Sequence, residues 1–184
     1  MSKIPAMLTA ETAVLLVVDV QERLMPTIHE SDGIITTVGR MIRAAGILEV
    51  PVVVTEQYPA GLGPTCAAIR DLLGETPIFE KTRFSACVEP VVEHLGSLGR
   101  PNVIVVGIET HVCVQQTVLD LLRLGYMPYV CADAVSSRVP LNRDVAMTRM
   151  QQAGAVVTTT ESVIFEALGE SGTDRFKAIL TLVK

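Results

Sequence analysis

NVIVVG, residues 102–107, is a run of β-branched and aliphatic residues with none of the apolar–polar alternation of a half-exposed strand. A strand of this kind is buried on both faces, the condition of a parallel sheet covered by helices on each side. VLLVVD at 14–19 has the same character, and PVVVT (51–55), PIFE (77–80), PYVCA (128–132) and AVVTT (155–159) complete a set of six predicted strands. Between them, residues 33–48, 64–73, 88–98, 110–124 and 141–153 place apolar residues three and four apart, as in Val88, Val91, Val92 and Leu95. Such spacing lines one face of a helix. Strand and helix therefore alternate, and the expected fold is a three-layer α/β/α domain spanning residues 1–184 around a six-stranded, mostly parallel sheet. GESGTDR (169–175) reads as a surface turn before a last short helix.

Composition narrows the function classes. The chain has 184 residues, 49% of them hydrophobic, and a formal net charge of −5, with no run among its 15 Lys and Arg. Nucleic acids and anionic membranes call for clustered cations, so neither partner is expected; a small molecule and further copies of the chain are. The four cysteines, at 66, 87, 113 and 131, form no C-x-x-C pair and are expected to be free thiols in a reducing compartment. The apolar run near the N-terminus covers six residues and ends in an aspartate, which fits neither a signal peptide nor a membrane span. Cytoplasmic residence is the expectation, import without a recognisable presequence being an open alternative.

Ligands of open α/β sheets bind beyond the carboxyl ends of the strands. Asp19, Glu56, Gln57, Lys81, the stretch Glu109–Cys113 and Asp133 stand at those predicted ends. If Thr110 caps the helix that follows, Cys113 lies in its first turn, where unpaired N–H groups and the helix dipole favour a thiolate and would receive an oxyanion. The plain alternative is a small buried hydrophobe. A carboxylate closing an apolar strand must meet water, a cation or a donor, so Asp19 is either a cap or a site residue. Lys81 is either solvated or turned inward. His111, two residues from Cys113, does not share its helix face. His29 and His94 suit solvent or capping roles, and Cys66, Cys87 and Cys131 packing.

VVDVQERL (17–24), EKTRFSA (80–86) and VVGIETHVCV (105–114), in this order and spacing, resemble the isochorismatase-like cysteine hydrolases, a Rossmann-like α/β family. TEQYPAGLGPT (55–65), DAVSSR (133–138), AGAVVTTTESVIFE (153–166) and FKAILTLVK (176–184) are closer to the small isochorismatase-domain proteins of unassigned substrate than to nicotinamidases. The resemblance implies a triad with Cys113 as nucleophile, Asp19 as general base and Lys81 as orienting cation. It further implies a cis peptide between Ile108 and Glu109, and an oxyanion hole from the N–H groups of Glu109 and Cys113. Gln21, Gln57, Tyr58 and Phe84 are candidate substrate contacts. Nicotinamidases carry an aspartate and histidines for a metal after the second strand; TEQYP stands there in this chain, with no histidine between His29 and His94, so neither metal nor cofactor is expected. The implied activity is hydrolysis of a small amide-type C–N bond through a thioester. A binding or scaffold domain with a vestigial triad is the alternative, and a nuclease ranks below both. The resemblance also implies a homo-oligomer, a dimer, tetramer or larger ring, and helices 110–124 and 141–153 with apolar residues on more than one face agree with it.

Overall fold

In a computed structural model, which describes residues 7–184, six strands form one sheet in the order β3-β2-β1-β4-β5-β6. They are β1 (Ala13–Val18), β2 (Val52–Gln57), β3 (Ile78–Lys81), β4 (Asn102–Ile108), β5 (Met127–Ser136) and β6 (Val156–Thr158). All five pairings are parallel. Every residue of β1 and β4 is buried, as their unbroken apolar runs require, while the edge strands β3 and β6 are largely open. Helices α1 (Ser31–Leu48), α7 (Thr160–Leu168) and α8 (Asp174–Val183) cover one face; α4 (Glu89–Leu98), α5 (Gln115–Arg123) and α6 (Pro140–Gln152) cover the other. Alternate residues of β1 serve the two layers: Leu15 and Val17 join the α1 side, Val14, Leu16 and Val18 the α5 side. Leu15 and Leu16 are fully buried, so truncating either to alanine would cost about 2–5 kcal/mol.

Several boundaries differ from expectation. The helix predicted at 64–73 shrinks to α3 (Ala67–Arg70), preceded by another single turn, α2 (Pro59–Leu62). Gly61, Gly63, Pro59 and Pro64 keep this region as turns. Helix α7 was not foreseen, although its signals are present: the Thr159 side chain accepts from the Ser162 N–H at the N-cap and Gly169 closes the C-terminus. Strand β5 runs on to Ser136, so Asp133 lies inside it rather than at its end. Its carboxylate instead holds the start of α7, accepting from the Thr160 N–H (2.8 Å) and hydroxyl (2.6 Å).

The site-forming step is at the β1/β4 pair, where the strand order reverses. Val18 and Gly107 stand opposite each other, and Gly107 has φ +116°. A Cβ there would lie 2.1 Å from the Val18 carbonyl oxygen. Only glycine lets β4 approach β1 this closely, which sets Asp19 beside the turn that leaves β4.

Candidate active site

Asp19 directly follows β1 in a left-handed conformation, φ 52°, and is fully buried. Its Oδ1 accepts from the Thr55 hydroxyl at 2.8 Å and its Oδ2 from Lys81 Nζ at 2.7 Å. Lys81 ends β3, and both side chains of this ion pair are shielded from solvent. The ammonium also donates to Gln57 Oε1 (2.7 Å) and to the carbonyls of Phe84 (3.0 Å) and Arg83 (3.2 Å). Four acceptors thus surround three N–H bonds, so Lys81 is fully engaged by the protein and acts on Asp19 rather than on a ligand. Burial raises the Asp19 carboxyl above its ordinary 3.8, against the charge and hydrogen bond of Lys81, the Thr55 hydroxyl and the Cys113 thiol.

Gln21 and Gln57, expected as substrate contacts, have their amides committed within the protein. Gln21 Nε2 donates to the carbonyls of Gln57 (3.0 Å) and Gly63 (2.7 Å), and its Oε1 accepts from the Gln57 N–H at 2.8 Å. Gln57 bridges Lys81 Nζ and the Thr82 carbonyl. Both are braces that hold the lysine and the loop over it. Tyr58 and Phe84 remain 57% and 52% exposed, each tied to Lys81 by its backbone: the Tyr58 N–H donates to the Lys81 carbonyl at 2.8 Å, and the Phe84 carbonyl takes Nζ. Tyr58, Lys81, Arg83, Val88 and Pro90 line a groove of about 570 Å³ at this end of the sheet.

The nucleophile candidate sits on a different kind of backbone. The Ile108–Glu109 peptide is cis, and residues 110–114 form a π turn before α5 begins at Gln115. The expected cap is not made: Thr110 is the first residue of the turn, and its buried hydroxyl has no partner among the described residues. Cys113 is 7% exposed. Burial first, then the Asp19 carboxylate, push its thiol up to about 12, against the opposing pull of Lys81. This direction runs against the pull toward a thiolate expected at a helix start, because in this dry environment desolvation and a neighbouring anion outweigh one cation.

Residues outside the expected set hold this turn. Thr117, one turn along, donates from its hydroxyl to the Cys113 carbonyl (2.7 Å) and accepts from the Ala86 N–H (2.8 Å), tying the turn to the loop after Lys81. Glu109 accepts through Oε2 from the Arg138 backbone N–H (2.9 Å) and Nε (3.1 Å). His111 Nδ1 lies 3.0 Å from the Ser137 hydroxyl, so its partner is β5's extension and not Cys113. Thr55 had a legible signal, since it closes the predicted strand PVVVT as Asp19 closes VLLVVD, and the structure sets it in register with Val18. Thr117 and Ser137 had none, because their contacts join segments 26 to 31 residues apart in sequence. Among the described residues no group of three side chains is arranged to hold a metal ion, and no helix is long and apolar enough to cross a membrane.

An isochorismatase domain model matches residues 13–162, the segment that holds the sheet and every residue of this cluster. The chain belongs to the isochorismatase domain family. Isochorismatase domain-containing protein 1 of Salmo salar is 41% identical over 94% of this chain, which spans only 61% of that longer protein. The structure of a MAR1 ribonuclease from Caenorhabditis elegans superposes with a TM-score of 0.93 at 45% identity, covering 97% of this chain and 92% of its own. YcaC from Pseudomonas aeruginosa, solved with hexane-2,5-diol and covalent acrylamide, gives a TM-score of 0.91 at 26% identity over 98% of this chain and 93% of its own. The isochorismatase-like fold is thus a hydrolase-type scaffold in this chain, and the Asp19–Lys81–Cys113 cluster lies at its β1/β4 switch point.

Proposed function

We propose that this isochorismatase-domain protein is a cysteine hydrolase of small amide-type substrates. The observation that carries the reading is the shielded Lys81–Asp19 pair at 2.7 Å, with the Cys113 thiol near enough to interact with the same carboxylate. With burial and the Asp19 carboxylate favouring the neutral thiol, deprotonation accompanies attack. As Cys113 Sγ bonds to the carbonyl carbon, its proton passes to Asp19, whose burial-raised carboxyl is a better base than a solvated one. The oxyanion is received by the backbone N–H groups of Glu109 and Cys113. Collapse breaks the C–N bond, and the amine leaves with the proton held by Asp19. Water then attacks the thioester carbon, giving its proton to Asp19, and expulsion of the sulfur returns that proton to Cys113. Lys81 keeps the carboxylate oriented throughout.

Turnover of a panel of small primary amides by wild type and by Cys113→Ala tests the reading. Wild-type activity that falls roughly a thousandfold or more in the variant, with a Cys113 acyl adduct trapped by mass spectrometry, is the expected result. Full activity in Cys113→Ala would refute it. The ribonuclease name of the C. elegans structure motivates a second reading, in which RNA is cleaved. A net charge of −5 and a nucleophile only 7% exposed weigh against it, since a polyanion needs a cationic, open path. RNA cleavage lost in Cys113→Ala would reverse that ranking. A fold-only binding domain predicts no turnover and no acyl adduct with any substrate.

A further inference from the structure

The braces of the candidate site leave few polar groups to meet a substrate. Lys81 is saturated, and the amides of Gln21 and Gln57 are committed within the protein. The Glu109–Arg138 pair is different, because its fork is half made. Guanidinium and carboxylate groups frequently share two parallel bonds. Here one oxygen, Glu109 Oε2, takes both the Arg138 backbone N–H (2.9 Å) and Nε (3.1 Å). Glu109 Oε1 and the two Nη groups of Arg138 have no hydrogen-bond partner among the described residues. Oε1 is not sealed from solvent either, so an incoming group can reach it.

The pair stands beside the nucleophile and is held there. Glu109 supplies an oxyanion-hole N–H in the proposed mechanism, and its carboxylate is close enough to act on the Cys113 thiol. Its side chain is 11% exposed, whereas that of Arg138 is 60% exposed and borders solvent. Ser137 fixes the arginine's backbone from the preceding position: its carbonyl accepts from the His29 N–H at 3.2 Å, and its hydroxyl meets His111 Nδ1 at 3.0 Å. An anchored donor beside an anchored acceptor matches a group that offers a C=O and an N–H together, as a carboxamide does. A carboxylate would reach the guanidinium only by lying against Oε1, and an ammonium would reach Oε1 only by lying against the guanidinium.

We propose that the Glu109–Arg138 pair is a specificity determinant that selects uncharged substrates carrying a carboxamide or ureido group, the C=O accepting from Arg138 Nη and the N–H donating to Glu109 Oε1. This rests on the hydrolase reading in taking Cys113 as the nucleophile, and it adds a charge class to the amides named there. Amides bearing a carboxylate or an ammonium beside the scissile bond are turned away.

Alkylation of Cys113 by iodoacetamide and by iodoacetate tests this in wild type, Glu109→Gln and Arg138→Gln. Rates are followed by peptide mass spectrometry and scaled to those of free cysteine, with circular dichroism confirming that each variant folds. Both reagents are attacked by the same thiolate, so their rate ratio cancels its ionisation and reads what the site does to an incoming carboxamide or carboxylate. Wild type is expected to favour iodoacetamide. Glu109→Gln leaves the arginine uncompensated and should move the ratio about tenfold toward iodoacetate, while Arg138→Gln leaves the glutamate uncompensated and should move it further toward iodoacetamide. A merely structural pair would move both ratios alike or neither, and either result overturns the proposal. So does a wild type that shows no preference, or a Cys113 closed to both reagents. The measurement needs no turnover, so its failure leaves the hydrolase reading standing, and an inert amide panel leaves the selector standing.

Discussion

The two halves of the candidate site are built by opposite rules. On the β1–β3 side, Asp19, Lys81, Gln57 and Gln21 form a shielded network in which the amides and charges are held by protein partners at 2.7–3.0 Å, with Arg83 at 3.2 Å. On the β4 side, the nucleophile turn has a cis peptide, a π turn, an unpartnered hydroxyl and a thiol pushed up to about 12. One half is a completed electrostatic frame; the other keeps its reactive group neutral. Preorganised charge beside the candidate nucleophile means that the ionic state of Cys113 answers to the frame as well as to burial, and each half can be perturbed with a distinct signature.

The largest effect should come from breaking the frame. Lys81→Met leaves the Asp19 carboxylate buried without its cation and the Gln57 oxygen without its donor. Removing one member of a shielded pair costs about 3–5 kcal/mol, to be read from urea denaturation midpoints. Adding Asp19→Asn should recover part of that loss, because the charge left unpaired is then absent. A double variant that is as unstable as the sum of the singles would show that the pair does not act as a unit.

Next in size is the tie between the halves. Thr117→Val removes the hydroxyl that serves both the Cys113 carbonyl and the Ala86 N–H, leaving both without that partner, for about 1–3 kcal/mol. Thr117→Ser keeps the hydroxyl and should retain most of the stability. Similar losses in both variants would mean that packing of the methyl group, not the bridge, holds the turn.

Asp19→Asn sharpens the comparison through the thiol. Asp19 raises Cys113 both by its charge and as the acceptor of its proton, while Lys81 opposes it. With the carboxylate gone and Lys81 in place, the thiol must fall from about 12, and iodoacetamide labelling of Cys113 at pH 8 should quicken by about tenfold for each unit lost. Amide turnover should fall in the same protein, since no base remains to carry the proton to the leaving amine. Slower labelling would mean that Asp19 activates a thiolate in the resting enzyme, contrary to the mechanism proposed.

What could be read in the sequence follows the same division. Strand burial was legible because β1 and β4 are unbroken apolar runs, and Asp19, Lys81 and Cys113 each follow or end a strand, where an ionisable residue is conspicuous. The role of the glutamines was not, since Gln21 and Gln57 make their bonds to each other and to loop carbonyls 25 to 42 residues away. The thiol's surroundings were not legible for a related reason: a helix start predicts a dipole and free N–H groups, but burial is a tertiary property and here it pushes the thiol up. Asp133 was misplaced because its strand continues past an acidic residue that the neighbouring helix start compensates.

Thr110 gives the smallest effect and the one whose sign is most informative. As a helix cap, its hydroxyl would hold a backbone N–H, and Thr110→Val would cost about 1 kcal/mol. The structure instead leaves that hydroxyl buried without a partner among the described residues. Valine has nearly the same shape, keeps the β-branch and has nothing to desolvate, so replacing an unsatisfied buried hydroxyl should be neutral or stabilising by up to about 1 kcal/mol. Thermal or urea unfolding of Thr110→Val separates the two accounts, because they differ in direction and not only in size. A destabilised variant would show that the hydroxyl finds a partner in solution, which would bring the nucleophile turn closer to the fully bonded frame it faces. An unchanged or raised midpoint would keep the two halves distinct, with an anchored ion pair on one side and an uncapped turn holding a neutral thiol on the other.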